Sequence, residues 1–219
     1  LLDGVGGPGA VVGVWSQSVS NWTFGGVASD DAHKGSEYGD QTDIELIENY
    51  TATAVNPYFD GKWGALYTGV QRANDVLRVL DKIKEGVITD EEALQIRAEA
   101  VFLRAVFHFE AAKLWLSVPY ITDSISFENG NYQVPNTEPV WPKIEADLMY
   151  AATNLTETKS EIGRANSWAA KSFLAKAYTY QHKFQEAKPL LADIIQHGMN
   201  PAGVKYDLVR YSDNFNPST

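Results

Sequence analysis

The sequence predicts an all-α fold, an array of helices around a central helix with long irregular loops between them. Three observations predict it. Residues 97–120 (RAEAVFLRAVFHFEAAKLWLSVPY) are apolar nearly all round, and such a helix must be covered by other helices on several sides. Apolar residues in 63–83 recur close to the 3.6-residue period of a helix. Two further helical stretches, 165–182 and 184–197, are joined by a very short turn, as in a helical hairpin.

The N-terminal region combines a short helix with a polar loop. Glycine mixes with apolar residues in 1–30, which predicts a helix over about 10–21 that is broken at Gly25-Gly26. Residues 30–43 (DDAHKGSEYGDQTD) then form a loop rich in Gly, Asp and Ser, and its length indicates a function beyond connection. The helix over 63–83 follows.

The central helix has recognisable boundaries. Thr89-x-x-Glu92 forms a capping box that starts it, and Pro119 ends it. Residues 121–138 are polar, show no strand pattern and predict a second exposed loop. Another helix is predicted over about 138–155, with Pro139 in its first turn, where proline is tolerated.

The last two helices keep the spacing of a tetratricopeptide-type hairpin. Small Ala175 and Ala187 let the helices cross closely, while Tyr178 and Leu191 fill the groove beside them. Phe184 marks the tight turn. An ordinary αα-hairpin stays open as the alternative, because the tryptophan and glycine positions of the full repeat are absent.

Composition excludes several functional classes. The chain carries 28 acidic against 18 basic side chains, a net charge of −10, which argues against nucleic-acid binding. It has no cysteine, so disulfides, cysteine-ligated zinc and cysteine nucleophiles are excluded. Arg104, Glu110 and Lys113 interrupt the apolar run over 100–118, each at a cost of roughly 2.5–3.5 kcal/mol at a bilayer centre. The run therefore predicts a helix buried in protein.

Five motifs follow one another along the chain. They are the acidic dipeptide after a small-residue run (VASDD, 27–31), Trp63, Tyr67 and Asn74 in WGALYTGVQRAND, the block RAEAVFLRA ending at Val118-Pro119, IEADL at 144–148, and GRANSWAAKSFLAKAY at 163–178. In this order they resemble the SusD/RagB family of outer-membrane nutrient-binding lipoproteins.

The resemblance implies a SusD-like helical array with tetratricopeptide-like helix pairs. It also implies a lipid anchor on the extracellular face of the outer membrane and partnership with a SusC-like TonB-dependent transporter. Family members capture glycans, some bind peptides, and they are not enzymes. Because family members are longer, we expect residues 1–219 to be a single SusD-like helical domain, the N-terminal part of a longer protein. Its only membrane contact would be an anchor outside this chain.

Carbohydrate recognition needs a flat aromatic face for sugar C–H groups and planar polar groups for hydroxyls, presented on exposed loops. Tyr38 is the only aromatic residue of the loop over 30–43, so it is the candidate platform, with His33 and Asp40 as hydroxyl partners. A solvated loop with an incidental tyrosine is the alternative. The loop has no tryptophan, which counts against a starch-like helical glycan. A second, weaker candidate set is Phe127, Asn129, Asn131 and Tyr132, whereas Trp63, Trp115, Trp141 and Trp168 are predicted in the core.

Enzyme signatures are not found, and we expect no catalytic residue and no cofactor. The four histidines lack metal-ligand spacing, and His108 is predicted to be packed and hydrogen-bonded. Adjacent carboxylates such as Asp30-Asp31 do not place two groups across a glycosidic bond. Whether that pair binds calcium is left open. Charged residues of the helical motifs are predicted to pair and fix helix packing: Arg97, Glu99, Arg104 and Glu145.

The sequence therefore predicts non-catalytic, cell-surface binding of oligosaccharides or polysaccharides for uptake through a SusC-like transporter. Two alternatives without catalysis stay open: a peptide-binding, RagB-like nutrient receptor and a tetratricopeptide-like scaffold for protein partners. An all-α glycoside hydrolase is a third alternative, and it would need two separated carboxylates in a cleft.

Overall fold

The computed structural model describes residues 21–35, 37–208 and 210–215. Within these ranges the chain is helical, and its only β-type pairing is an isolated bridge between Met199 and Lys205. The all-α prediction is confirmed. The predicted helix over 10–21 lies outside the described residues, apart from Asn21. The α-helices are α1 (Thr42–Glu48), α2 (Pro57–Leu80), α3 (Asp90–Trp115), α4 (Trp141–Asn154), α5 (Ser167–Tyr180) and α6 (Phe184–His197), with a π-helical turn at Thr23–Val27 and a 3-10 turn at Tyr211–Phe215.

The chain divides into two compact units. The first comprises Leu1–Lys82 and Val106–Trp141, and the second Ile83–Ala105 and Pro142–Thr219. Helix α3 contributes its first part to the second unit and its last part to the first. That residues 1–219 form a single domain of a longer protein stays a prediction. In the described part of the chain, no helix is both long and apolar enough to cross a bilayer.

Helix α2 begins earlier than its apolar stripe. The Asn56 side chain accepts the Tyr58 N–H at 2.9 Å, and Pro57 occupies the first helical position, where its missing N–H costs nothing. The helix therefore starts at Pro57 rather than at residue 63, and it ends at Leu80 rather than at residue 83. Most of the predicted stripe is buried, including Leu66, Val70, Ala73 and Leu77, whereas Val76 is 43% exposed.

The capping box of α3 is confirmed. The Thr89 N–H donates to Glu92 Oε2 at 2.8 Å, and the Glu92 N–H donates to Thr89 Oγ1 at 3.2 Å. The predicted end at Pro119 is wrong, because Leu116 adopts a φ of 61° and ends the helix at Trp115. Residues on all sides of the helix are buried, as predicted, among them Ala98, Val101, Phe102, Ala105, Val106, Phe107, Phe109 and Ala112.

Within the first unit, α2 and α3 approach closely at one glycine. A Cβ placed on Gly69 would lie 2.5 Å from Cε1 of the Phe107 ring, whereas one on Gly64 of the same helix would meet nothing within 4 Å. Phe107 is only 4% exposed, so its ring is fixed by the surrounding core. Glycine at position 69 therefore sets how closely the two helices pack.

The C-terminal helices agree with the predictions except in detail. Helix α4 starts at Trp141, so the proline in its first turn is Pro142 and not Pro139. Both Ala175 and Ala187 are buried where α5 and α6 pack, as predicted for a close crossing. Leu191 is 44% exposed, so the prediction that it fills the groove is wrong.

Of the charged motif residues predicted to pair, Glu99, Arg104 and Glu145 do so within the second unit. The Arg104 guanidinium donates from Nε and Nη2 to both carboxylate oxygens of Asp147, at 2.7 and 2.9 Å, and its side chain is 8% exposed. This two-point geometry is the strong form of an ion pair and locks α3 to α4. The further pairs are Glu99 with Lys159 (3.1 Å) and Arg164 (2.7 Å), and Glu145 with Lys183 (2.6 Å).

Candidate functional site

The predicted binding loop is closed at its base by a small hydrophobic cluster. Val27 precedes the loop, Ile44 and Ile47 of α1 follow it, and Tyr58 of α2 completes the buried set. Packed against these are the partly buried side chains of Trp22, Phe24, Ala28, Ala32, Ala52 and Phe59. Since both ends of the loop join the same cluster, its base is fixed. Helix α1, absent from the sequence predictions, supplies one side of that base.

Lys34 of the loop and Glu48 of α1 hold the loop in place. Glu48 Oε2 accepts the Lys34 N–H at 3.2 Å, and Glu48 Oε1 pairs with Nδ1 of His33. The Lys34 side chain is only 6% exposed, its Nζ lies 3.5 Å from Glu45 Oε2, and it donates to the Asp40 carbonyl. The two ends of the loop are thereby joined to each other and to α1.

These contacts keep the Glu48 carboxylate ionised. The hydrogen bond with His33, helped by the Lys34 N–H, lowers the pKa of Glu48 below its ordinary value. The His33 side chain stays 72% exposed. Its assignment as a ligand hydroxyl partner stays a prediction, and the structure adds a bracing contact that the sequence did not reveal.

Tyr38 lies near the tip of the loop with its side chain fully exposed to solvent. Gly35 and Gly39 flank it with φ values of 71° and 92°, a left-handed backbone that lets the chain turn tightly on either side of the ring. Asp40 follows on the same exposed loop. Tyr38, His33 and Asp40 therefore share one braced loop, and their joint role in binding stays a prediction.

Tyr58 links the end of the loop to α2. Its hydroxyl donates to Oε1 of Gln41, which takes a left-handed φ of 50° just before α1 begins. Burial raises the pKa of Tyr58, so the hydroxyl stays protonated and able to donate. Sequence reasoning missed Lys34, Glu48 and Tyr58. Their partners lie between 6 and 17 residues away in the sequence, and no spacing pattern predicts such contacts.

The second exposed loop, which follows α3, is held by side chains of α2. Tyr67, Asn74 and Arg78 lie seven and four residues apart, which places them on one face of that helix. They donate to main-chain oxygens at alternate positions of the loop: Tyr67 to Pro119 (2.8 Å), Asn74 to Ile121 (2.9 Å), and Arg78 to Asp123 and Ile125 (2.8 Å each). Two of the motif residues quoted above thus have a structural role.

His108 of α3 holds the same loop from the other helix. It is fully buried, its Nε2 accepts the Ile121 N–H at 3.0 Å, and its ring stacks on Tyr120 at 4.1 Å. The ring nitrogen that accepts must be unprotonated, so His108 is a structural group here, as predicted. Beyond this anchored stretch, Phe127, Asn129, Asn131 and Tyr132 are all exposed.

The second unit contains a polar groove of about 480 Å³. Gln95 crosses it, donating to the Asn154 carbonyl at 2.7 Å and accepting from Lys159 Nζ at 2.8 Å. Glu99 is paired with Lys159 and Arg164 in the same groove. These side chains form hydrogen bonds and ion pairs with one another, and this pairing accounts for the polar character of the groove. Across the described part of the chain, His, Asp and Glu side chains form no group of three placed to hold a metal ion.

The chain is an all-α scaffold that carries two exposed loops held in place by side-chain contacts, and the comparisons identify its family. A SusD-like family model, described as starch-binding and associating with the outer membrane, matches residues 13–179. The match spans more than half of the chain, so the chain belongs to the SusD-like family. The resemblance inferred from the five motifs is confirmed.

Relatives and solved structures support the same family assignment. A SusD-like protein of Bacteroides ovatus is 34% identical over 130 residues, which cover 59% of this chain and 24% of the relative. A solved laminarin-binding SusD-like protein superposes with a TM-score of 0.69 at 28% identity, covering 80% of this chain and 38% of that one. A structure solved with a xylogluco-oligosaccharide gives 0.62 at 27% identity, covering 77% and 34%. The chain thus spans about a quarter of the curated relative.

Proposed function

We propose that this chain binds oligosaccharides without cleaving them, as part of a receptor for glycan uptake. The observation that carries the proposal is the laminarin-binding SusD-like protein, which shares the scaffold at 28% identity and a TM-score of 0.69. The structure solved with a xylogluco-oligosaccharide supports the same ligand class. Both names describe neutral glucose-based glycans, which suit a chain whose net charge of −10 disfavours anionic ligands.

The loop carrying Tyr38 is the proposed contact. The exposed phenol ring offers an apolar face to the C–H surface of a pyranose, and we propose that the exposed side chains of His33 and Asp40 bind hydroxyls. Bracing by Lys34 and Glu48 matters for affinity. A loop that is already ordered loses less conformational freedom when ligand binds, so more of the contact energy appears as affinity.

Delivery to a SusC-like TonB-dependent transporter, at the extracellular face of the outer membrane through a lipid anchor, completes the proposal. It is supported by family membership, whose description includes association with the outer membrane. A binder that hands its ligand to a transporter needs only modest affinity, because release must be fast enough for transfer. Stable co-purification with a SusC-like barrel from outer membranes would test this step separately from ligand binding.

Titration calorimetry on the full-length protein tests which ligand is bound. The probes are laminarin oligosaccharides, xyloglucan oligosaccharides, malto-oligosaccharides and a mixed peptide library. We expect binding to at least one glycan, weakened about threefold to tenfold by Tyr38→Ala and kept by Tyr38→Phe, which preserves the ring. Phe184→Ala, which removes an exposed ring from the second unit, is the matched control.

The alternatives give different results in the same assays. Clear peptide binding with no binding to any glycan would refute the carbohydrate proposal. It would favour a peptide-binding, RagB-like nutrient receptor or a tetratricopeptide-like scaffold for protein partners. Release of reducing sugar by the purified chain would instead favour the glycoside hydrolase alternative. We expect no reducing sugar, since the carboxylates lining the polar groove are engaged in ion pairs and hydrogen bonds.

A further inference from the structure

Two aromatic rings stand together on the surface of the second exposed loop. Phe127 is 82% exposed and Tyr132 is 48% exposed, and their ring centroids lie 4.6 Å apart with an interplanar angle of 35°. At this separation the rings partly stack, so each covers part of one face of the other and the outer faces stay exposed. Rings in this state contribute little to the protein core, so their position calls for another explanation.

The turn that carries the rings is closed by its own side chains. Asn131 Oδ1 accepts the Ser126 N–H at 2.9 Å, and the side-chain amides of Asn129 and Asn131 both donate to the Ser124 carbonyl at 3.0 Å. Gly130 takes a φ of 68°, and its N–H donates to the Phe127 carbonyl at 3.1 Å. The two asparagines, candidate ligand groups in the sequence, therefore serve to shape the turn.

The base of this turn is also fixed. The four hydrogen bonds from Tyr67, Asn74 and Arg78 fasten the preceding main chain to α2. The rings are thus held in place twice, by the turn and by the helix beneath it. A preformed aromatic surface loses little conformational entropy on binding, which is the general advantage of a preorganised site.

The chemistry of the surroundings selects the ligand. A stable protein interface buries about 800 Å² per partner, far more than two rings can supply. The neighbouring exposed groups, Glu128 and Gln133, are polar and carry no positive charge. They suit a hydroxylated, uncharged partner and disfavour phosphate or sulfate esters.

We propose that Phe127 and Tyr132 form a second carbohydrate-stacking site, separate from the loop of Tyr38. An exposed outer face of this stacked pair would take the C–H face of a pyranose, with the second ring supporting the first from behind. The inference rests on the proposed function for the ligand class only, and on the geometry of this turn for the site. Two contacts on one polymer would raise avidity for long glycans above that for short ones.

Calorimetry on the full-length protein tests the second site, with laminarin and xyloglucan oligosaccharides and their parent polysaccharides as probes. Removing both rings (Phe127→Ala with Tyr132→Ala) should weaken binding about threefold to tenfold, the value expected for loss of one stacking face. Tyr132→Phe should leave binding unchanged, because the face and not the hydroxyl makes the contact. Phe184→Ala is again the control for loss of an exposed ring.

Loss of stacking can be distinguished from loss of folding. Because both rings are exposed, the double variant should have the same melting temperature as the wild type. Unchanged glycan binding by the double variant, in a chain whose wild type binds, overturns the second site and leaves the proposed function standing. A wild type that binds no glycan overturns both. Support requires weaker binding with an unchanged melting temperature, and a polysaccharide affinity that Tyr38→Ala reduces but does not abolish.

Discussion

Gly69 offers a sharp test of the packing between α2 and α3, because Gly64 provides an internal reference on the same helix. Replacing either glycine by alanine gains about 0.5–1 kcal/mol of helix propensity. At Gly64 nothing lies within 4 Å of the new methyl group, so Gly64→Ala should stabilise the chain by that amount.

At Gly69 the new methyl group would lie 2.5 Å from Cε1 of Phe107, where carbon atoms normally stay about 3.5–4.0 Å apart. The ring must retreat by about 1 Å, and since Phe107 is buried the displacement passes to its neighbours. Overpacking of this kind costs about 1–3 kcal/mol. After the gain in propensity, Gly69→Ala should destabilise the chain by about 1–2 kcal/mol.

The two alanine variants should therefore differ by about 2 kcal/mol, or about 4–8 °C in melting temperature for a chain of this size. Thermal and urea unfolding followed by circular dichroism measure the difference. Adding Phe107→Leu to Gly69→Ala should recover part of the loss, since the smaller side chain leaves room for the methyl group. A Gly69→Ala chain that melts at or above the Gly64→Ala chain would refute the close-packing argument.

Three further predictions use the same measurements. Arg104→Ala leaves the Asp147 carboxylate partly buried without its two-point partner and should cost about 3 kcal/mol or more, whereas Arg164→Ala, at a 48% exposed side chain, should cost less than about 1 kcal/mol; equal costs would contradict the difference in burial. The pKa of Glu48 is lowered in the folded chain, so its contribution is present above the ordinary value of 4.5 and is lost as the pH falls through the lower folded value. Glu48→Gln should therefore reduce the dependence of the urea unfolding midpoint on pH in that acid range. An unchanged dependence would count against the bracing role of Glu48. Thr89→Ala removes the side-chain half of the capping box and should cost about 1 kcal/mol, and a neutral result would show that the cap is dispensable.

Most of the helical scaffold is predictable because its signals are local. The capping box at Thr89 and the apolar character of α3 act within one helix, and both predictions hold. Boundaries are less predictable where two local signals compete. The helix expected to run to Pro119 ends at Trp115, because Leu116 takes a left-handed conformation that no glycine or asparagine announces. Pro139 and Pro142 are equally acceptable in a first turn, and only the packed structure decides between them.

The candidate sites are less predictable because their key contacts join distant segments. Tyr38 can be chosen from the sequence as the aromatic residue of a polar loop, and its exposure agrees. Lys34 and Glu48 cannot, since their meeting depends on α1, a helix too short to show a period. Asn129 and Asn131 have the right chemistry for a ligand, but their side chains are used within the turn. Residue type suggests a binding group, whereas geometry decides whether that group is available.

The way α2 holds the second loop has a consequence for evolution. Tyr67, Asn74 and Arg78 reach main-chain oxygens at alternate positions, 119, 121, 123 and 125, and each of these oxygens exists whatever side chain is attached. Substitutions along that stretch can therefore change the surface it presents without releasing the anchor. Because these hydrogen bonds do not depend on the side chains of the loop, the loop can acquire new ligand preferences by single substitutions with little effect on folding.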